Sequence, residues 1–178
     1  MNRFSDFHIN SMLTNATIKE RLEKHFEGRL TGFEEPYGML SFEAPKELNL
    51  KVLQFLYDDE EMRFQFLTDL TAVHYPNQPG RELAVVYHLH NMRDNVRIRF
   101  KVFTDIAQPD IFTATKLYEA ANWMERETFD FFGVHFTGHP NLKRILNVDE
   151  MDYFPLRKEY PLEDQTRTDK DDEMFGRG

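Results

Sequence analysis

Three clusters of polar side chains in this sequence have the composition of a reactive or ligand-binding site. The densest is Glu125-Arg126-Glu127-Thr128-Phe129-Asp130-Phe131-Phe132-Gly133. Carboxylates set among aromatic side chains can have their proton affinity raised by desolvation and then act as proton-transfer groups. On a helix, Arg126 and Asp130 stand four residues apart and can pair, with Glu125 and Thr128 on a neighbouring face. The competing reading is structural: a helix end whose charges pair with one another or with a partner, while its Phe side chains enter a core. The structural reading is the commoner outcome for such clusters.

The second cluster is His135-Phe136-Thr137-Gly138-His139-Pro140. Two His four apart ligate a metal when they share one helical turn. Gly138 and Pro140 disfavour a helix here, and no third ligand of matching spacing accompanies the pair, so metal ligation is the weaker reading. The third cluster consists of two basic pairs, Lys143-Arg144 and Arg157-Lys158, on either side of the acidic stretch 149–152. Phosphate binding would want a Gly-rich loop beside them, and none is there. Solvated or interfacial salt links fit better. His74, His88 and His90 lie on or beside strands, where hydrogen bonding within the core or along an edge is the default. The chain has no G-x-G-x-x-G, no P-loop, no G-x-S-x-G and no H-E-x-x-H.

Composition narrows the chemistry further. The 178 residues contain no cysteine. That excludes disulfides, Cys-ligated zinc, a thiolate nucleophile and an iron–sulfur cluster held on Cys ligands of this chain. A net charge of −9 argues against sequence-independent binding of nucleic acid. No run approaches the ~18 apolar residues of a transmembrane helix, and the first residues lack the apolar stretch of a secretory signal. The expectation is a cytoplasmic protein that meets a membrane only through partners. The 17 Phe imply an aromatic core, or aromatic surface presented to a partner.

The elements that must position these clusters read as α+β: a small, mostly antiparallel sheet packed with helices, then an extended irregular C-terminal arm. Thr17 and Glu20 suit a capping box, with Ile18, Leu22 and Phe26 on one helical face and Gly28 as a stop. Strands are expected near 30–34 and 39–43 around the turn Pro36-Tyr37-Gly38. Pro45 suits the first turn of a helix carrying Leu48, Val52, Phe55 and Leu56 on one side. Residues 63–71 alternate. Residues 82–91 and 95–104 read as a hairpin, with Val96, Ile98, Phe100 and Val102 inward and Arg97, Arg99 and Lys101 on a solvated face. After Pro109 the period becomes helical through Ala114, Leu117, Ala120, Ala121 and Met124 up to Gly133. Residues 1–146 are expected to form the domain. Residues 147–178 are expected to form the arm, with too few contacts of its own to offset the entropy of ordering it, and so to lie on a neighbour.

The run from Ala121 to Leu146 resembles the signature of the C subunit, or thirty-kilodalton subunit, of NADH-quinone oxidoreductase (respiratory complex I). The family pattern is an aromatic, Glu-Arg-Glu, an acidic residue, two bulky apolar residues and Gly, then Gly-His-Pro, a basic pair and Ile-Leu. Here these are Trp123, Glu125, Arg126, Glu127, Asp130, Phe131, Phe132 and Gly133, then Gly138, His139 and Pro140, then Lys143, Arg144, Ile145 and Leu146. The segments 86–89 and 97–102 resemble the family's central hairpin, and Pro155-Leu156-Arg157-Lys158-Glu159-Tyr160-Pro161 its C-terminal element. Tyr153-Phe154 stand where the family has Gly and a small residue or His. The resemblance covers 64–161. It implies a free-standing structural subunit without cofactors of its own, in an enzyme that passes electrons from NADH through FMN and iron–sulfur clusters in partner subunits to quinone and translocates protons. The implied partners are the D and B subunits of the peripheral arm, with no nucleic acid and no membrane span, at the cytoplasmic face of the inner membrane. By the same resemblance the signature residues, with Pro155, Arg157, Lys158 and Tyr160, would fix the arm and the subunit interface. The alternatives are the equivalent subunit of a membrane-bound hydrogenase or formate-oxidising complex, and a free-standing enzyme using the carboxylates between 125 and 130.

Overall fold

The alternation in the middle of the chain builds a five-stranded sheet. In the computed structural model, which describes residues 13–161, the strands are β1 (Thr31–Glu34), β2 (Leu40–Ala44), β3 (Phe66–His74), β4 (Leu83–Asn91) and β5 (Val96–Thr104). Their order is β1-β2-β5-β4-β3, antiparallel except where β2 meets β5. The α+β expectation holds, with one parallel pair inside a mostly antiparallel sheet.

Register explains the core. Leu40, Ile98, Leu89 and Leu67 align across the sheet, and Phe42, Phe100, Tyr87 and Leu70 form the next row on the same face. The Phe100 ring stacks on Tyr87 at 4.6 Å and on Phe42 at 5.4 Å. The helices α1 (Asn15–Phe26) and α2 (Asn49–Asp58) add Ile18, Leu22, Phe26, Val52, Leu53 and Leu56 to the same cluster. Each such side chain contributes about 1.5–3 kcal/mol when fully buried. Arg97, Arg99 and Lys101 point to the opposite face, as their alternation requires.

Two elements differ from the sequence reading. The capping box of α1 begins at Thr14, not Thr17: the Thr14 hydroxyl accepts the Thr17 N–H, and Thr17 Oγ1 accepts the Thr14 N–H at 3.0 Å. A hydroxyl at the third helical position replaces the Glu of the usual box. The earlier start also puts Leu13 and Ile18, both buried, at the positions of a hydrophobic staple. The second difference follows Pro109. Residues there form β6 (Asp110–Phe112) and a series of turns, and α3 begins only at Ala121. β6 pairs in parallel with β7 (His135–Thr137) across α3 (Ala121–Phe132). The helical spacing of Ala114 and Leu117 therefore belongs to turns, because the Ala114 N–H is taken by a distant carboxylate described below.

Candidate functional site

The signature maps onto α3 and the segment after it. The buried side of α3 carries Ala121, Glu125, Thr128 and Phe132, at helical spacing. Thr128 Oγ1 reaches the carbonyl of Leu70 on the edge strand β3, and Tyr118 donates to the Phe64 carbonyl at 2.7 Å. The helix thereby covers an edge that would otherwise offer unpaired backbone.

Glu125 is fully buried. Its two oxygens accept from the Ala114 N–H and the Thr113 hydroxyl, each at 2.6 Å. Among the described residues it makes no ion pair. Desolvation pushes its carboxyl up to about 7, against the opposing pull of the two hydrogen bonds. The nearby Tyr87 hydroxyl, which accepts from Asn49, is likewise made less acidic by burial and by the Glu125 charge.

Asp130 is also fully buried, yet its surroundings are opposite in kind. Oδ2 accepts the backbone N–H groups of Ile145, Leu146 and Asn147 at 3.0, 2.8 and 3.0 Å. Oδ1 accepts from Arg144 Nη1 at 2.8 Å and Asn147 Nδ2 at 3.0 Å. Desolvation works against ionisation here too. The Asn147 N–H, the Arg144 guanidinium and the remaining donors outweigh it and hold the carboxyl well below the usual range.

The pairing of Arg126 with Asp130 expected from their spacing is absent. Arg126 instead donates to the carbonyls of Lys143 (3.1 Å) and Arg144 (3.4 Å) and lies over the exposed Trp123 ring, 5.1 Å from its centroid. Arg144 reaches Asp130 because the chain doubles back after β7.

The last carbonyls of α3 are all satisfied. Gly133, at φ +76°, donates its N–H to Phe129. Arg144 Nη1 donates to the Asp130 carbonyl at 2.7 Å, the Leu156 N–H to Phe131 at 3.1 Å and Arg157 Nε to Phe132 at 2.8 Å. These carbonyls have no intrahelical partner, and cations at this end are favoured by the helix dipole. Only glycine fits at 133, because a Cβ there would meet the Phe154 ring at 2.5 Å and Arg157 Nη2 at 2.6 Å. The Phe154 ring packs against both the Arg144 and the Arg157 guanidinium, at 5.1 and 4.6 Å from its centroid. Further along, the Lys158 N–H donates to Nδ1 of buried His74 at 2.9 Å, and Glu159 Oε2 lies 3.3 Å from the same nitrogen. Residues 147–161 thus contain no helix or strand and are tied to their own domain at several points. Residues 162–178 lie outside the described part.

The His pair does not converge. His139 Nε2 faces the Asn122 carbonyl at 3.1 Å and Nδ1 accepts the Asn141 N–H at 3.0 Å, so both nitrogens are engaged within the protein. Burial, with Arg126 nearby, lowers its pKa. His135 Nδ1 faces Asp110 at 3.0 Å. Among the described residues no three His, Asp or Glu gather in a way that could hold a metal. Glu127, Pro140 and Lys143 reach the surface, Pro155 is half-buried, and Tyr160 packs on Tyr153 at 4.9 Å. Sequence reasoning missed Thr113, Ala114, Asn147, Phe154 and the His74 contact as working parts. Backbone donors carry no side-chain signal, and His74 meets Lys158 across 84 positions.

Residues 42–166 match the model of the respiratory-chain NADH dehydrogenase 30 kDa subunit family. A protein of Parvibaculum lavamentivorans, named as the C subunit of NADH-quinone oxidoreductase, is 40% identical over 158 residues, 89% of this chain and 78% of that one. The chain belongs to the respiratory 30 kDa subunit family. Another member so named, from Roseiflexus sp., is 43% identical over 84% of this chain and 86% of its own length. The chain spans half of a Nocardioides relative of the same name, at 46% identity over 125 residues. The match to the 30 kDa family begins at Phe42, well before residue 64, and so takes in the end of β2 and all of α2. Among solved structures, one described as Nqo5 of the trypsin-resistant fragment (1-134) is similar with a TM-score of 0.59 and 30% identity, over 70% of this chain and 98% of that one. The membrane-bound sulfane sulfur reductase, an archaeal respiratory membrane complex, shares the fold at a TM-score of 0.69 and 24% identity, over 83% and 85% of the two chains. No helix among the described residues is long and apolar enough to cross a membrane.

Proposed function

We propose that this chain is a structural subunit of the peripheral arm of a proton-translocating NADH-quinone oxidoreductase, without redox cofactors of its own and not catalytic alone. The observation that carries this reading is where the signature side chains spend their hydrogen bonds. Glu125, Arg126, Asp130, His139, Arg144 and Arg157 are engaged with the protein itself, mostly with its backbone. That is the pattern of a scaffold, whereas a reaction site keeps such groups aimed at an open position. The absence of cysteine agrees, since iron–sulfur clusters are held mainly by Cys thiolates.

Asn147 and Arg157 of the arm turn toward its own domain, while several apolar side chains on and just before it are exposed. Val148, Tyr153, Leu156 and Tyr160 are exposed along it, with Leu146 exposed just before it. Aromatic and aliphatic side chains clustered in this way suit the centre of a protein interface. In this reading the arm continues past 161 along the D subunit of the complex, with the B subunit adjacent, at the cytoplasmic face of the membrane. FMN and the clusters stay in the partner subunits, where electrons pass from NADH to quinone.

Affinity purification of the tagged chain from gently solubilised membranes tests the proposal. The D and B subunits and the flavin-bearing NADH-oxidising subunits are expected to co-purify. Leu156→Glu combined with Tyr160→Glu should lower their recovery at least tenfold while the chain stays folded. Recovery of a nickel-bearing large subunit would move the chain to a hydrogenase-type complex. A redox centre bound to the purified single chain would overturn the scaffold reading.

A further inference from the structure

The sheet face opposite the core carries more cations than its own carboxylates pair with. Arg97, Arg99 and Lys101 project from alternate positions of β5. Beside them, across the register, lie Ser41 and Glu43 on β2, Val86 and His88 on β4, and Asp69 and Thr71 on β3. Arg99 is 3.8 Å from Glu34 and donates to the Ser41 hydroxyl, and Glu43 is taken by Arg81 at 2.6 Å. Asp69 is 3.7 Å from His88. Arg97 and Lys101 form no ion pair among the described residues. Ala84 and Val86 on this face are buried yet stand apart from the main core, with Phe66 half exposed at the rim. The face is therefore a shallow apolar floor under a row of cations.

A row of cations at every second residue has a spacing of roughly 6.8 Å, set by the strand rise. Its complement is an extended segment with carboxylates at i, i+2 and i+4. The chain contains one, Asp169-Lys170-Asp171-Asp172-Glu173, in which Asp169, Asp171 and Glu173 share one side of an extended backbone while Lys170 and Asp172 take the other. Reach permits the contact. Lys158 is anchored at His74 on the core side of the edge strand β3, so the tail rounds that edge to reach the basic face, and Thr104 aligns with His74 across β4 through Leu83. Two strand spacings place β5 roughly 10 Å away, with Lys101 roughly another 10 Å along it. The eight residues from Pro161 to Asp169 span up to about 26–29 Å when extended.

We propose that in the unassembled chain residues 169–173 lie extended over the Arg97–Arg99–Lys101 row, so that the tail screens the basic sheet face until a partner takes it. This goes beyond the scaffold role and concerns the chain before assembly; co-purification of partners does not depend on it. Because the contact is between exposed charges, it weakens with salt.

The absence of cysteine makes a direct test simple. A nitroxide placed on Phe175→Cys in the full chain should broaden the backbone amide signals of Val86, Arg99 and Lys101 by paramagnetic relaxation. The broadening should vanish at 1 M salt, where the Debye length falls to about 3 Å. It should also vanish in the variant Asp169→Asn, Asp171→Asn, Glu173→Gln. Absent broadening at low salt, or broadening that survives both changes, overturns the proposal. So does equal broadening of these signals in isotope-labelled, nitroxide-free chain when it is mixed with unenriched, spin-labelled chain, which would place the tail on a second copy.

Discussion

Glu125 and Asp130 stand on the same helix with fully buried side chains, and the protein treats their charges in opposite ways. Burial penalises both anions. Glu125 is offered one hydroxyl and one backbone N–H and, among the described residues, no cation, and its carboxyl rises to about 7. Asp130 is offered three backbone N–H groups, an amide and a guanidinium, and its carboxyl falls. Both side chains are shielded from water, but Glu125 lies deeper in the protein and has fewer donors and no cation beside it among the described residues, and the two differences together set which form is stable. The two sites also do different mechanical work. Glu125 ties the turn before α3 to the helix, while Asp130 ties down the chain that follows it.

The largest effect expected from breaking this contrast is at Asp130. Asp130→Asn leaves Arg144 buried without its counter-ion, and loss of one partner of a buried pair costs about 3–5 kcal/mol. Denaturant unfolding should show that loss as a lower midpoint. Gly133→Ala comes next, at about 1–3 kcal/mol, because a side chain there meets Phe154 and Arg157 in a left-handed backbone. Its extra signature should be faster trypsin cleavage within 147–161.

Glu125 sharpens the comparison through pH. Its folded pKa lies above its unfolded one, so the folded state holds the proton more tightly. Its stabilising contribution is full below about pH 4.5 and is lost as pH rises toward about 7, a change of about 2 kcal/mol between pH 5 and 8. Glu125→Gln should flatten that slope. Asp130 has the opposite sign: its contribution is present above the ordinary Asp range and is lost as pH falls below it. The two windows do not overlap, so a pH series of unfolding curves separates them. The smallest effect should be Arg126→Ala, about 1 kcal/mol, through the lost bonds to the Lys143 and Arg144 carbonyls.

The sheet was readable because half-buried strands alternate, and the alternation of 96–104 matches the register seen. The end of α3 was readable because Gly133 follows an apolar helical run. What misled was local spacing. Arg126 is the neighbour of Asp130 by helical geometry, yet the partner is Arg144, brought back by β7 and the turn at Gly138. The stretch 110–120 has helical spacing, but Glu125 takes the Ala114 N–H and the strand β6 pairs with a segment more than twenty residues away. Such choices are made by tertiary partners, and no window of the sequence contains both sides of them.

The central claim is that the signature charges act inward, anchoring the start of the arm to its own domain. Hydrogen exchange on the isolated full chain tests it most directly, read at the amides of Ile145, Leu146, Asn147, Leu156 and Lys158. The account predicts that all five are protected, and that Asp130→Asn exposes the first three. Exchange of these amides at the rate of an unstructured chain in the unaltered protein would contradict it.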